Sequence, residues 1–222
     1  MRPFVFINCA MSLDGKISNE RREQIRISSR EDLEIVDRLR AESDGVMVGI
    51  GTVLSDNPRL TVKEERLRRL RVERGFDENP LRIVVDSKAR TPPNSFVLDG
   101  SARTLIAVSK IADRERVEML RQKAEVVVFG DKRVDLGKLL EYLYKQGVRK
   151  LMVEGGAEIN YSLLKEGLAD EIRVFYSGMI IGGKNSPTLV SGRSFDPPLK
   201  AKLKSFENLG NGIAVVWEVV RD

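Results

Sequence analysis

The chain reads as an α/β protein: a mainly parallel central sheet flanked by helices, with an antiparallel hairpin at its C-terminal end. Three observations predict this. Short runs rich in Val, Ile and Leu recur along the 222 residues, separated by stretches of helical period. Strands that alternate with helices pair in parallel and are covered on both faces. The end of the chain breaks the alternation, because two strand-like runs flank Asn208-Leu-Gly-Asn-Gly212, which is hairpin chemistry.

Each element follows from its residues. Residues 4–11, mostly apolar, predict a first strand. Ser28-Ser29-Arg30-Glu31 is a cap-like helix start, and Leu33, Val36, Leu39 and Arg40 carry the helical period. Residues 46–50 form a buried strand. Residues 81–85 are a short β-branched strand closed by Asp86-Ser87, and residues 104–108 are another. A helix over 113–123 precedes a strand over 125–129 that ends at Gly130. A helix over 135–146 stops at Gly147, and the strand 150–153 ends at Glu154-Gly155-Gly156. A helix over 157–165 stops at Gly167 and leads to a strand over 171–176. Residues 199–206 and 213–220 form the hairpin. There is no internal repeat, low-complexity segment or linker, so one domain, 1–222, is expected.

Composition excludes several classes. A single cysteine, Cys9, rules out an intramolecular disulfide and a Cys-based zinc cluster. The chain has no histidine, which removes the commonest general acid–base and metal ligand, and no metal is expected. No apolar run is long enough to cross a membrane. Met1-Arg2-Pro3-Phe4 runs straight into a strand and is no signal peptide. A cytoplasmic protein is expected. The net charge is +5, with the densest basic run at Arg66-Leu-Arg-Arg-Leu-Arg71. Glu64, Glu65 and Glu73 are interleaved and no aromatics are present for base stacking. This predicts a solvated charged helix and no nucleic-acid partner.

Polar turns follow several strands. After residues 46–50 comes Gly51-Thr52-Val53-Leu54-Ser55-Asp56-Asn57-Pro58. Glycine lets a ligand approach the backbone, Thr52 and Asp56 bring polar groups, and Pro58 ends any helix begun there. The segment reads equally as an ordinary tight turn. At Glu154-Gly155-Gly156-Ala157-Glu158, a strand-to-helix junction offers backbone N–H groups that favour a phosphate; a plain βα turn is the alternative. No Gly-x-Gly-x-x-Gly fingerprint occurs. Ser12-Leu13-Asp14-Gly15-Lys16 and Asp86-Ser87-Lys88-Ala89-Arg90 each read as either solvated turns or ligand contacts. Placement favours function, because in a parallel sheet these turns share one edge, the place where open α/β sheets bind ligands.

Four segments taken together identify a family resemblance: Asn8-Cys-Ala-Met-Ser-Leu-Asp-Gly-Lys16, Gly49-Ile-Gly-Thr-Val-Leu-Ser-Asp-Asn-Pro-Arg-Leu-Thr61, Leu81-Arg-Ile-Val-Val-Asp-Ser87 and Val153-Glu-Gly-Gly-Ala157. In order, over nearly the whole chain, they resemble the riboflavin-biosynthesis pyrimidine reductases in their stand-alone archaeal and fungal form. The Thr-Val-Leu-x-Asp-x-Pro-x-Leu-Thr pattern is the specific part. The resemblance implies a dihydrofolate-reductase-like fold, NADPH as cofactor (NADH as well in some members) and a homodimer. It implies reduction of the ribosyl group of 2,5-diamino-6-ribosylamino-4(3H)-pyrimidinone 5′-phosphate to ribityl. The fused zinc deaminase of bacterial relatives has a His/Cys signature that is absent here.

By matched position, Ala10, Thr52 and Asp56 resemble the contacts to the nicotinamide half and bridging phosphates. Gly155, Gly156, Ala157 and Glu158 resemble the pyrophosphate turn. Val85, Asp86, Ser87 and Gly130 fall on the cofactor side as well, Ser87 toward the adenosine. Arg40, Leu60, Lys63 and Glu154 resemble substrate contacts, with Arg40 and Lys63 suited to the ribose phosphate. The expected chemistry is hydride transfer to C1′ of the opened sugar. Asp56, Lys16, Glu154 or water are the candidate proton carriers; the hypothesis is that Asp56 organises both ligands and Lys16 supports the proton path. The rivals are a dihydrofolate-reductase-type pterin reductase and a non-catalytic nucleotide- or RNA-binding protein.

Overall fold

The computed structural model describes residues 1–23 and 25–221. In chain order the elements are β1 (Phe4–Met11), α1 (Arg30–Ala41), β2 (Gly45–Gly49), α2 (Ile50–Asp56), α3 (Glu65–Glu73), β3 (Leu81–Val85), β4 (Thr104–Val108), α4 (Arg114–Arg121), β5 (Glu125–Val128), α5 (Leu136–Lys145), β6 (Lys150–Val153), α6 (Ala157–Lys165), β7 (Glu171–Ser177), β8 (Ala201–Leu209) and β9 (Gly212–Val219). They fall into two compact units. The first comprises residues 1–4 and 37–152, the second residues 5–36 and 153 onward.

In the first unit the strand order is β5-β4-β3-β2-β6. β2, β3, β4 and β5 pair in parallel, with Gly49 opposite Val85, Val85 opposite Ala107 and Val108 opposite Val128. The strands are apolar on both faces because both faces are covered: Val46, Met47, Val48, Ile83, Val84, Leu105 and Ile106 are all 0 % exposed. Helix α5 buries Leu136, Leu139, Leu140 and Leu143, an i, i+3, i+4, i+7 stripe, each leucine contributing about 1.5–3 kcal/mol. The Asp135 carboxylate caps α5 by accepting from Lys138 N, and Asp113 caps α4 by accepting from Arg116 N.

In the second unit β1 pairs in parallel with β7, Ala10 lying opposite Phe175. β7 pairs antiparallel with β9, and β9 with β8. Val5, Ile7 and Phe175 are fully buried. Arg173 on β7 donates to Asn8 Oδ1 (2.8 Å) and to Asp32 (2.9 Å) at the start of α1, a buried charge pair with its polar atoms engaged. The Ser29 hydroxyl accepts from Asp32 N at 3.1 Å, so the cap-like start expected there is a true cap.

The expected α/β arrangement with a C-terminal antiparallel hairpin is present. Boundaries move where packing decides them. The strand expected over 46–50 stops at Gly49, and what looked like a Gly-rich turn is the first turn of α2, anchored by buried Ile50 and Val53. The basic run is a helix, α3, but Arg71 on it is not solvated. It is 5 % exposed and donates to the carbonyls of Ala41 (2.7 Å), Ser43 (2.8 Å) and Asp77 (2.9 Å), closing the C-terminal end of α1. No helix of the described residues is long and apolar enough to cross a membrane.

Candidate active site

In the first unit the parallel register sets the β2 and β3 ends level, since Gly49 lies opposite Val85. The turns that follow are therefore neighbours on the carboxyl edge of the strands. Thr52 and Asp56 stand one helical turn apart on α2, so they share a face of it. Asp56 is half-buried, and that burial pushes its carboxyl above the usual carboxylate range, against the opposing pull of Ser55. Asn57 closes α2 in the left-handed region at φ 42° and accepts from Phe96 N at 2.8 Å. Leu60 also lies in that region, at φ 54°, with its side chain 1 % exposed. A bulky residue keeps such a backbone only where its surroundings impose it.

The end of β3 is built differently. Asp86 is 0 % exposed, and its Oδ2 accepts from Thr91 N (2.7 Å) and the Thr91 hydroxyl (2.9 Å). The carboxylate thus holds the 86–91 turn from inside. Ser87 is half-buried. Its hydroxyl oxygen accepts from Val134 N at 3.1 Å and its carbonyl from the Ser109 hydroxyl at 2.8 Å. Gly130 has φ 80°, and a Cβ there would lie 2.2 Å from the Arg133 carbonyl oxygen, so only glycine fits. Lys88 and Arg90 are exposed beside this turn, and Arg90 reaches Asp86 at 3.6 Å.

Other residues singled out by the sequence lie in the second unit. Ala10 lies near the end of β1. Beyond it the Ser12 hydroxyl donates to Asp14 (2.6 Å), and the Asp14 carboxylate accepts from Ile181 N (3.0 Å) and Gly182 N (2.7 Å). Those bonds, Ser12's first, hold the Asp14 carboxyl down at about 2. Lys16 is half-buried and its ammonium donates to the Ser186 carbonyl at 3.4 Å, so it is drawn to the 178–192 segment. Glu154 is half-buried after β6, Gly155 is buried at φ 98°, and the Gly155–Gly156 peptide is cis. Gly156 caps α6 without any side-chain hydrogen bond, and Ala157 and Glu158 form its first turn. A helix start whose N–H groups meet no capping side chain suits an anion.

Residues 3–215 match the RibD C-terminal domain family. The chain belongs to that family. Among relatives of the RibD C-terminal domain, the 2,5-diamino-6-ribosylamino-4(3H)-pyrimidinone 5′-phosphate reductase of Archaeoglobus fulgidus is 55 % identical over 215 residues, covering 97 % of each chain. A pyrimidine reductase-like protein from Corynebacterium diphtheriae has the same fold at TM-score 0.87 and 19 % identity, covering 99 % of this chain and 93 % of its own. Dihydrofolate reductase from Enterococcus faecalis superposes at TM-score 0.54 with 11 % identity, covering 97 % and 96 %. The fold of this RibD C-terminal domain is therefore dihydrofolate-reductase-like, as expected.

Within the first unit the structure joins residues that the sequence left apart. Arg40 Nη1 donates to the Thr61 carbonyl at 3.1 Å, so Arg40 meets the segment carrying Leu60 and Lys63. Sequence reading missed what holds that segment. Asp37, Arg68 and Asn79 all bind its backbone, as does Arg82 the stretch before it. Arg82 is 0 % exposed and donates to Asp99 (2.9 Å), the Thr104 hydroxyl (2.9 Å) and the Phe96 carbonyl (2.9 Å), reaching the Arg59 carbonyl at 3.5 Å. A lone arginine inside the apolar strand Leu-Arg-Ile-Val-Val was the one available signal, since a charge there must find partners. Asp37, three residues before Arg40 on α1, offered only its helical spacing.

Proposed function

We propose that this chain reduces the ribosyl group of 2,5-diamino-6-ribosylamino-4(3H)-pyrimidinone 5′-phosphate to ribityl, using NADPH, as a cytoplasmic homodimer working as a single reductase module. The observation that carries this reading is the 55 % identity, over 97 % of both chains, to a reductase of that name. The donor set fits a reduced dinucleotide. In the second unit the α6 start offers N–H groups with no capping side chain; in the first, Gly51 opens onto space with nothing within 4 Å of a built Cβ, and Thr52 and Asp56 stand on the same helix as Gly51.

Ala10, Thr52 and Asp56 serve the nicotinamide half and bridging phosphates in this reading, and Gly155, Gly156, Ala157 and Glu158 the pyrophosphate. Val85, Asp86, Ser87 and Gly130 shape the adenosine side; with its carboxylate buried against Thr91, Asp86 acts by holding the turn that carries Ser87. Arg40, Leu60, Lys63 and Glu154 receive the substrate, the two cations on its phosphate. When bound, the reduced nicotinamide supplies a hydride to C1′ of the opened sugar. Asp56 organises both ligands, its half-buried carboxyl raised by burial above the usual carboxylate range. Lys16 and Glu154 support the proton path.

The RNA-binding alternative loses its ligand residues. Arg71 is buried, Arg68 is spent on the Val62 and Lys63 carbonyls, and Arg69 pairs with Glu65. Dimerisation is supported by the hairpin, which exposes Leu203 (47 %), Phe206 (68 %) and Ile213 (43 %) on strands that also carry Val215 and Trp217. Analytical ultracentrifugation tests it, and a Phe206→Glu variant is expected to sediment as a monomer. The decisive assay follows reduced-nicotinamide absorbance with the ribosylamino-pyrimidinone phosphate and, separately, dihydrofolate. Oxidation with the first alone is expected; turnover of dihydrofolate would refute the reading. NADH in place of NADPH is expected to give a higher KM.

A further inference from the structure

The segment Thr61-Val62-Lys63-Glu64 forms no helix or strand, yet side chains from elsewhere in the unit grip it at nearly every peptide group. The Thr61 carbonyl accepts from Arg40 Nη1 at 3.1 Å. Val62 N donates to Asn79 Oδ1 at 2.8 Å. Arg68 Nη1 donates to both the Val62 carbonyl (3.0 Å) and the Lys63 carbonyl (2.7 Å). Asp37 is 7 % exposed and uses both carboxylate oxygens, accepting from Lys63 N at 2.7 Å and from Glu64 N at 2.8 Å.

We infer that Asp37 and Arg68 are positioning residues for the phosphate end of the substrate, fixing the Lys63 backbone against Arg40. The inference rests on the reading that Arg40 and Lys63 receive that phosphate. A surface loop ordinarily satisfies its peptides with water. Here a buried carboxylate and a guanidinium replace water on consecutive residues, and the residue between them is the exposed Lys63. Asp37 accepts from the two amides that lead into α3, so its carboxylate also fixes the backbone entering that helix. A lysine on a fixed backbone loses only side-chain freedom on binding, so the clamp improves affinity by removing loop entropy from the cost. Because the clamp acts through Lys63, its effect is confined to substrates that carry the phosphate.

The test uses the full chain and two substrates, the ribosylamino-pyrimidinone 5′-phosphate and its 5′-hydroxyl counterpart. Arg40→Ala and Lys63→Ala are measured first and are expected to raise KM for the phosphate ester only. If they fail to distinguish the two compounds, the phosphate reading itself falls, and the inference with it. Given that discrimination, Arg68→Met is expected to raise KM for the phosphate ester about tenfold, with kcat within about twofold. The 5′-hydroxyl compound is expected to show no change. Arg68→Lys, which can still donate to both carbonyls, should recover most of the loss. Asp37→Asn should behave as Arg68→Met does; should it not fold, the half-buried Arg68 pair decides alone. A KM rise that is equal for both compounds, or an effect confined to kcat or Tm, would overturn the assignment and leave Asp37 and Arg68 as structural residues.

Discussion

Two connecting segments, 61–64 and 155–157, are the ones we propose to meet ligand phosphates, and they are built on opposite principles. The first is composed of residues with no special backbone freedom, and its shape is imposed by Asp37, Arg40, Arg68 and Asn79. The second carries its shape in its own residues: Gly155 adopts φ 98° and Gly156 caps α6 with no side-chain help. A turn shaped by glycine is set by local sterics and tolerates changes elsewhere. A loop shaped by distant side chains fails when any one of them is lost, because each leaves a backbone group unpaired.

The contrast can be broken most forcefully at Arg82. Its guanidinium is fully buried and serves Asp99, Thr104 and the carbonyls of Phe96 and Ala102, and it reaches the Arg59 carbonyl just before the clamped loop. Arg82→Met is expected to cost about 3–5 kcal/mol in urea unfolding, since it removes a buried charge that several acceptors share at once. Asp37→Ala should cost about 2–3 kcal/mol by the same measurement, and combined with Arg68→Met the two losses should fall short of their sum, because both act on one loop. At the other turn Gly155→Ala is expected to cost about 1–2 kcal/mol from the positive φ alone, and to weaken NADPH binding measured by fluorescence titration. Gly51→Ala sharpens the comparison in the opposite direction. It lies within α2 with open space where a Cβ would sit. Stability should rise by about 0.5–1 kcal/mol, while NADPH affinity falls if the cofactor backs onto that helix.

The smallest effect concerns acid. Burial alone would raise the Asp99 carboxyl, but the Ser101 hydroxyl and amide and the Arg82 guanidinium outweigh it and hold the group at about 2. A carboxyl lowered on folding adds stability above its ordinary value near 3.8 and loses it as the pH falls toward 2. Chemical unfolding of Asp99→Asn should therefore show a flatter loss of stability between those values than the parent chain, with the difference vanishing below them.

Strand and helix order was legible because period and β-branched content are local properties. The valine-rich 46–48 stretch reads as buried whatever surrounds it, and Leu136, Leu139, Leu140 and Leu143 declare a helix face by spacing alone. The Gly155-Gly156 turn was legible for the same reason, as was the alternation that makes the sheet mainly parallel. The charged helix was read only in part. Its solvated face is real, but Arg71 is drawn inward by carbonyls at Ala41 and Ser43, about thirty residues back in the chain, and no local pattern reports that.

What the amino-acid order determined by itself was the succession of elements, the glycine-dependent turns at Gly130 and Gly155, and membership of a reductase family through the Thr52–Thr61 motif. Tertiary structure alone decided the burial of Asp86 and Arg82, the half-burial that lifts the Asp56 carboxyl, and the grip of Asp37 and Arg68 on the loop bearing Lys63. The division has a physical origin. Backbone sterics and hydrophobic period act between near neighbours, whereas desolvation and the pairing of polar groups depend on which distant residues the fold brings within hydrogen-bond reach.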